Sequence, residues 1–161
     1  MIAMLVLDLL TKFFINKSLS LGEETSFLPG FINLVNVHNN GGAWNIFSGN
    51  QIFLIIFTSI FIIAYLYFYL HECKNGVLFH IGSALLITGA LGNLIDRIGF
   101  NYVRDMLHFE FWPSFPVFNV ADVCVCVGLT VLILFYLIVL IKSHKKEKQK
   151  WKKALLLKRS K

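Results

Sequence analysis

Three aspartates stand where an apolar chain tolerates them least. Asp96 lies in GNLIDR (92–97), Asp105 closes YVRD (102–105) and Asp122 closes FNVAD (118–122), each at or inside the edge of a strongly apolar segment. An ionisable side chain at bilayer depth costs roughly 2.5–3.5 kcal/mol on insertion scales, so three in one short stretch imply a use. Asp105 and Asp122 read as a pair that does chemistry. Two carboxyls held close together do not both ionise: one keeps a proton and the other is a base. Aspartic proteases use this arrangement to activate water and protonate a leaving amine. Such a pair titrates as a unit. Asn119, three before Asp122, shares its helix face, and Asp96 and Arg97 follow Asn93 at three and four residues. Arg97 is expected to neutralise Asp96 and hold that helix end. On composition alone, a reading of Asp105 and Asp122 as interface-solvated acids or helix caps stands beside the catalytic one.

The elements that must position these residues are membrane helices. Of 161 residues, 57% are hydrophobic and 15% charged, against roughly 25% charged in soluble domains. Four spans are expected, at about 1–15, 52–70, 77–95 and 118–141, forming one domain over 1–141, with a basic tail over 142–161. The first would reach only about 22 Å, short of a ~30 Å hydrocarbon core. It has neither a positive n-region nor an obvious small-residue cleavage site, so it reads as a short or front-truncated span and not as a signal peptide. Within it Asp8 and Lys12 are four apart with the acid first, the favourable order for a helical ion pair. That pair either only neutralises itself near an interface or also touches substrate or lipid. The third span carries Gly82, Ser83, Ala84, Gly89, Ala90 and Gly92. These small residues let backbones approach closely, making this helix central and leaving room for a helical peptide.

Between the first two spans lies the longest polar stretch outside the tail. FINLVNV (31–37) alternates as a strand does, and HNNGGAWNIFSGN (38–50) carries Asn-Gly and Gly-Gly turn signals with Trp44 and Phe47 suited to a membrane boundary. A small β platform on the membrane surface is expected there. Residues 99–116, with Trp112, Pro113 and Pro116, read as an irregular aromatic loop. Ten of the fifteen Lys and Arg residues follow position 141, against one acid, Glu147, leaving the tail near +9 and the rest near −3. A basic run directly after an apolar helix marks the cytoplasmic side and attracts anionic lipid; nucleic-acid binding is not expected. Both termini are then cytoplasmic, and Asp105 and Asp122 both fall toward the outer face. Cys73, Cys124 and Cys126 are odd in number, and the last two point to different helix faces. They read as small core residues rather than a disulfide or metal site.

At this point five blocks in order resemble the lipoprotein signal peptidase (signal peptidase II) family, the bacterial membrane aspartic peptidases. The blocks are Asp8 with Lys12; Asn39 and Gly41 in NNGGAW; GNLIDR; Asp105 after its valine-rich approach; and FNVAD. The resemblance implies a membrane all-α bundle of four transmembrane helices with a small extracytoplasmic β platform, in the cytoplasmic membrane. It implies hydrolysis of the bond before the diacylglyceryl-modified cysteine of a prolipoprotein, with neither metal nor organic cofactor. Prolipoproteins and membrane lipids are then the partners. The family's catalytic aspartates fall on Asp105 and Asp122, and its active-site support on Asn39, Gly41, Asn93, Asp96, Arg97, Asn119, Asp8 and Lys12.

Three positions depart from the family's pattern. Gly42 replaces an alanine. Val123 replaces a small polar residue and is expected to lose a hydrogen bond near Asp122. Arg104 replaces an apolar residue and is expected to stabilise the ionised form of Asp105, lowering the working pH range. The alternative function is a small proton or ion relay, although no broken-helix pair or repeat is visible.

Overall fold

The computed structural model describes residues 1–42, 44, 46–71 and 76–159, with side chains as far as Trp151. The chain runs α1 (Ile2–Ser18), β1 (Glu24–Leu28), β2 (Ile32–Asn39), α2 (Gln51–His71), α3 (Val77–Phe100), β3 (Val103–Phe109) and α4 (Val120–Arg159). Three helices, α2, α3 and α4 as far as Trp151, have the length and composition to cross a membrane. The 17 residues of α1 reach only about 25 Å. Much of the apolar surface of α2 and α4 faces outward, Ile56, Ile63, Ile133 and Leu140 among it. Water does not tolerate such a surface and lipid does.

Helix α3 is the hub, in contact with each of the other three helices. Gly82, Gly89 and Gly92 face α4 and α1. A methyl group at Gly82 would stand 2.8 Å from Leu132, and one at Gly92 2.6 Å from Asp8 Oδ2. From the α4 side, a methyl at Gly128 would stand 2.6 Å from the Leu86 amide. The glycines of this face are therefore covered by neighbouring helices and only Ala90 of its small residues borders the open gap toward α2, which corrects the expectation that the face as a whole leaves room for a peptide. Phe79, Leu86, Leu132 and Phe135 pack the α3–α4 seam, and Ile62, Ile87 and Ala90 pack α2 on α3. Two polar pairs tie α2 to α3 as well, Tyr65 to Ser83 at 2.8 Å and Tyr69 to His80 at 2.9 Å. Cys124 is buried; Cys126 is exposed, against the expectation of a core residue. Cys73 lies outside the described residues.

The platform is a three-stranded antiparallel sheet in the order β1-β2-β3. Its middle strand is the one expected from alternation over 31–37, starting one residue later and ending two residues later. The expected irregular loop over 99–116 instead contains β3. Alternation is hidden there because Val103, Arg104, Asp105 and Met106 are all buried: the strand is covered on both faces. Asn101, at φ +62, closes α3 with its amide on the Arg97 carbonyl and turns the chain straight into β3. Residues 142–159, expected as a tail, continue α4 without a break.

By connectivity, the C-terminal ends of α1 and α3 and the N-terminal ends of α2 and α4 meet at the sheet.

Candidate active site

Asp105 and Asp122 reach the same point from a strand and a helix. Asp105 pairs with Val37 in the ladder; the pleat sends Asp105 and Val103 to the cavity face and Arg104 to the other. Asp122 is the third residue of α4, and Asn119 precedes the helix. The Asp122 amide donates to Asn119 Oδ1 at 2.9 Å, while the Asn119 amide donates to Asp122 Oδ2 at 3.1 Å. This is a reciprocal capping box, so Asp122 has a fixed position before any partner is considered.

Every carboxylate oxygen of the pair has a donor. Asn39 Nδ2 donates to Asp105 Oδ2 at 2.9 Å and Asn119 Nδ2 to Asp105 Oδ1 at 2.7 Å. Asn93 Nδ2 donates to Asp122 Oδ1 at 2.7 Å. Asn119 also reaches Asn93 Oδ1 at 3.1 Å, linking α4 to α3. Asp105 is 3% exposed. Burial first, and the charge of Asp122 second, push its carboxyl up from 3.8 to about 7.

Behind the pair lies a buried ionic layer. Lys12 Nζ touches Asp8 Oδ2 at 2.8 Å and Asp96 Oδ2 at 3.4 Å, and donates to Asn93 Oδ1 at 3.2 Å. Asp8 Oδ1 accepts the Ala121 amide at 2.8 Å, so α1 caps the first turn of α4. Arg104 holds Asp96 through Nη2 at 2.7 Å, Nε at 3.3 Å and its own amide at 3.0 Å. Two expectations are corrected here. Asp96 is neutralised by Arg104 and Lys12, while Arg97 turns to backbone carbonyls, Gly41 at 2.9 Å and Asn93 at 3.4 Å. Arg104, on the opposite face of β3 from Asp105, turns its guanidinium to Asp96 and not to that carboxyl. It also stacks over Phe100 at 4.4 Å. Breaking a buried pair leaves a charge stranded. Arg104→Met is accordingly expected to cost about 2–4 kcal/mol, softened by Lys12, and thermal unfolding in lipid or detergent checks this.

The pair opens on a cavity of about 880 Å³ that runs from the sheet into the gap between α2 and α4. Asn39, Gly42, Trp44 and Phe115 line its sheet end; Phe57, Thr58, Phe61, Ala90 and Cys126 line the gap. Gly41 is fixed by its amide on Asn39 Oδ1 at 2.8 Å. A methyl at Gly42 would meet only the Ile46 carbonyl at 3.5 Å, so the missing alanine costs little. Val123 lines the cavity, and Asp122 keeps both its donors without a polar neighbour there. The site thus gathers all ten residues expected from sequence. Arg104 was expected beside Asp105; its part in the ionic layer is visible only once β3 is recognised as a strand. Among the described residues, no group of three or more His, Cys, Asp or Glu is placed to hold a metal ion.

The profile of Signal peptidase (SPase) II matches residues 1–154. A lipoprotein signal peptidase from Enterococcus faecalis is 38% identical over 142 residues, covering 88% of this chain and 87% of that one. Another from Lactiplantibacillus plantarum is 37% identical, covering 92% and 95%. A bacterial membrane enzyme solved by the in meso method at 2.3 Å resolution superposes with a TM-score of 0.80 at 33% identity, covering 84% of each chain.

Proposed function

Because this chain belongs to the Signal peptidase (SPase) II family, we propose that Asp105 and Asp122 are its catalytic pair. The enzyme is a bacterial membrane aspartic endopeptidase that removes the signal peptide from prolipoproteins, cutting before the diacylglyceryl-modified cysteine. The observation that carries the assignment is the pair of carboxyls, on separate elements, bridged by one Asn119 side chain and backbone at the mouth of a largely apolar cavity. One carboxyl takes a proton from water as it attacks the scissile carbonyl, and the other protonates the carbonyl oxygen. Asn39, Asn93 and Asn119 hold both carboxyls in place; Gly41 and Arg97 hold the loop after β2 against α3. The ionic layer of Asp8, Lys12 and Asp96 supports them from behind. The relay alternative finds no support in the family.

Substrate geometry follows from the cavity. A signal helix enters sideways through the gap between α2 and α4, where Phe57 and Phe61 face it. Its scissile bond then reaches the sheet end, with the diacylglyceryl chains left in the bilayer. Helix α1 is the fourth span, shorter than the rest: Leu10 and Phe13 turn outward while Asp8 and Lys12 turn into the bundle. The basic end of α4 lies at the far end of that helix from the sheet, which supports a topology with both termini in the cytoplasm and the sheet and aspartates at the outer face. Cleavage of a diacylglyceryl-modified prolipoprotein by the purified protein, beside the same substrate without lipid, tests this reading. Product from the lipidated substrate alone supports it; equal product from both removes the lipid from recognition.

The raised Asp105 carboxyl sets a pH dependence. Activity needs one proton on the pair, so kcat/KM is expected to fall as pH rises through about 7. Stability moves the same way. Its contribution is complete below 3.8, where the carboxyl is protonated folded or unfolded, and is lost as pH rises through about 7. A pH profile flat to well above 9 would remove Asp105 as proton donor.

A further inference from the structure

The two aspartates are not equivalent, and the groups behind them say how. Asp122 stands in the first turn of α4, where the helix N-terminus favours negative charge. Asn93 adds a donor whose direction is fixed: its Oδ1 accepts Lys12 Nζ at 3.2 Å and Asn119 Nδ2 at 3.1 Å, so only its amide nitrogen is left to face Asp122. Lys12 is fully buried, so its charge acts within this layer. Asp105 has amide donors only. The guanidinium nearest it in sequence, Arg104, is spent on Asp96 across the strand.

A charge count agrees. Asp8 and Lys12 from α1, Asp96 and Arg97 from α3, Arg104 and Asp105 from β3 and Asp122 from α4 form the layer. His38 of β2 stands at its edge, stacked on Tyr102 at 3.8 Å. Four carboxyls face three fixed cations, and a buried set tends to neutrality, so one carboxyl holds a proton. Asp8 and Asp96 are in direct ion pairs, which leaves the catalytic pair. Of these, Asp105 is buried while Asp122 is partly open to the cavity, where water enters.

We propose that Lys12 is a positioning residue which, through Asn93 and together with the N-terminus of α4, keeps the negative charge of the pair on Asp122, making Asp122 the base and Asp105 the acid. This rests on the reading of the two as catalytic. Water gives a proton to Asp122 as its oxygen bonds to the carbonyl carbon, and the carbonyl oxygen takes the proton of Asp105. The resulting diol collapses: the C–N bond breaks, the nitrogen leaves with the proton from Asp122, and a hydroxyl proton returns to Asp105. Atoms and charges balance, and the pair ends as it began.

The test uses the full-length protein in lipid. In the wild type, 13Cγ-aspartate NMR is expected to show Asp105 at the protonated-carboxyl position below about pH 7 and Asp122 at the ionised position. Each signal is assigned by its loss in Asp105→Asn or Asp122→Asn. The reverse order, or one proton shared equally, overturns the proposal. In Lys12→Met, the acid limb of kcat/KM for a diacylglyceryl-modified prolipoprotein is expected to move up by about one pH unit, roughly tenfold in rate below it. A uniform loss at every pH marks Lys12 as merely structural and also overturns it. Undiminished cleavage by both Asn variants defeats the catalytic reading itself, whatever the NMR positions.

Discussion

Asp105→Asn and Asp122→Asn are each expected to lower kcat by about a thousandfold or more, with the double variant little worse than either single one. The reason is that the pair acts as one unit: water activation and protonation of the carbonyl oxygen are halves of the same step, and losing either stops it. The two variants should differ in stability. Asn at 105 keeps the size of the side chain and relieves a buried acid, which offsets the loss of one of the two oxygens that accept from Asn39 and Asn119, so the protein is expected to stay close to its melting temperature. Asn at 122 also disturbs the capping box, because its amide cannot offer two carboxylate oxygens to Asn93 and to the Asn119 amide. It is expected to lose about 0.5–2 kcal/mol as well. Single-turnover cleavage with a melting curve for each variant separates the effects. Near-normal turnover by either variant removes that residue from the chemistry.

The second large effect is at Asn119, which is fully buried. Its Oδ1 caps α4, its Nδ2 donates to Asp105 and to Asn93, and its backbone amide holds Asp122. Asn119→Ala is expected to lose about one hundredfold in kcat and about 1 kcal/mol in stability. Asn119→Ser separates the roles. A serine hydroxyl caps the helix as well as asparagine does, but it does not reach Asp105 with a second donor. The expected result is restored stability without restored activity. Equal recovery of both would mean that capping, and not the bridge between the carboxyls, is what Asn119 supplies.

Much of the site is legible in the sequence because its residues violate their surroundings. Asp96, Asp105 and Asp122 stand out from apolar segments, and the spacing of Asn119 from Asp122 places them on one face. Asp8 and Lys12 announce themselves as a helical pair. What sequence does not carry is direction across elements. The partner of Asp96 is Arg104 and not its neighbour Arg97, because Asp96 faces β3 and Lys12 while Arg97 turns toward the Gly41 loop. The glycines of α3 mark close packing, yet periodicity does not say whether the close neighbour is α4 or a substrate. Strand β3 eludes the alternation test since both its faces are covered. The role of Asp8 as a cap for α4 spans 113 residues of sequence, and no local pattern reports it.

The capping box and the bridge at Asn119 have one more consequence, for the life of the chain before it is finished. Asp105 is made before its partner, and nothing earlier in the sequence can complete the pair. The amide that Asp8 accepts, the side chain that joins the carboxyls and the second carboxyl all arrive with the first turn of α4. A nascent or misinserted chain lacking that helix in place carries one isolated acid and no hydrolase. On the proposed pairing, proteolytic competence is thus withheld until the last helix has docked, which guards against premature activity.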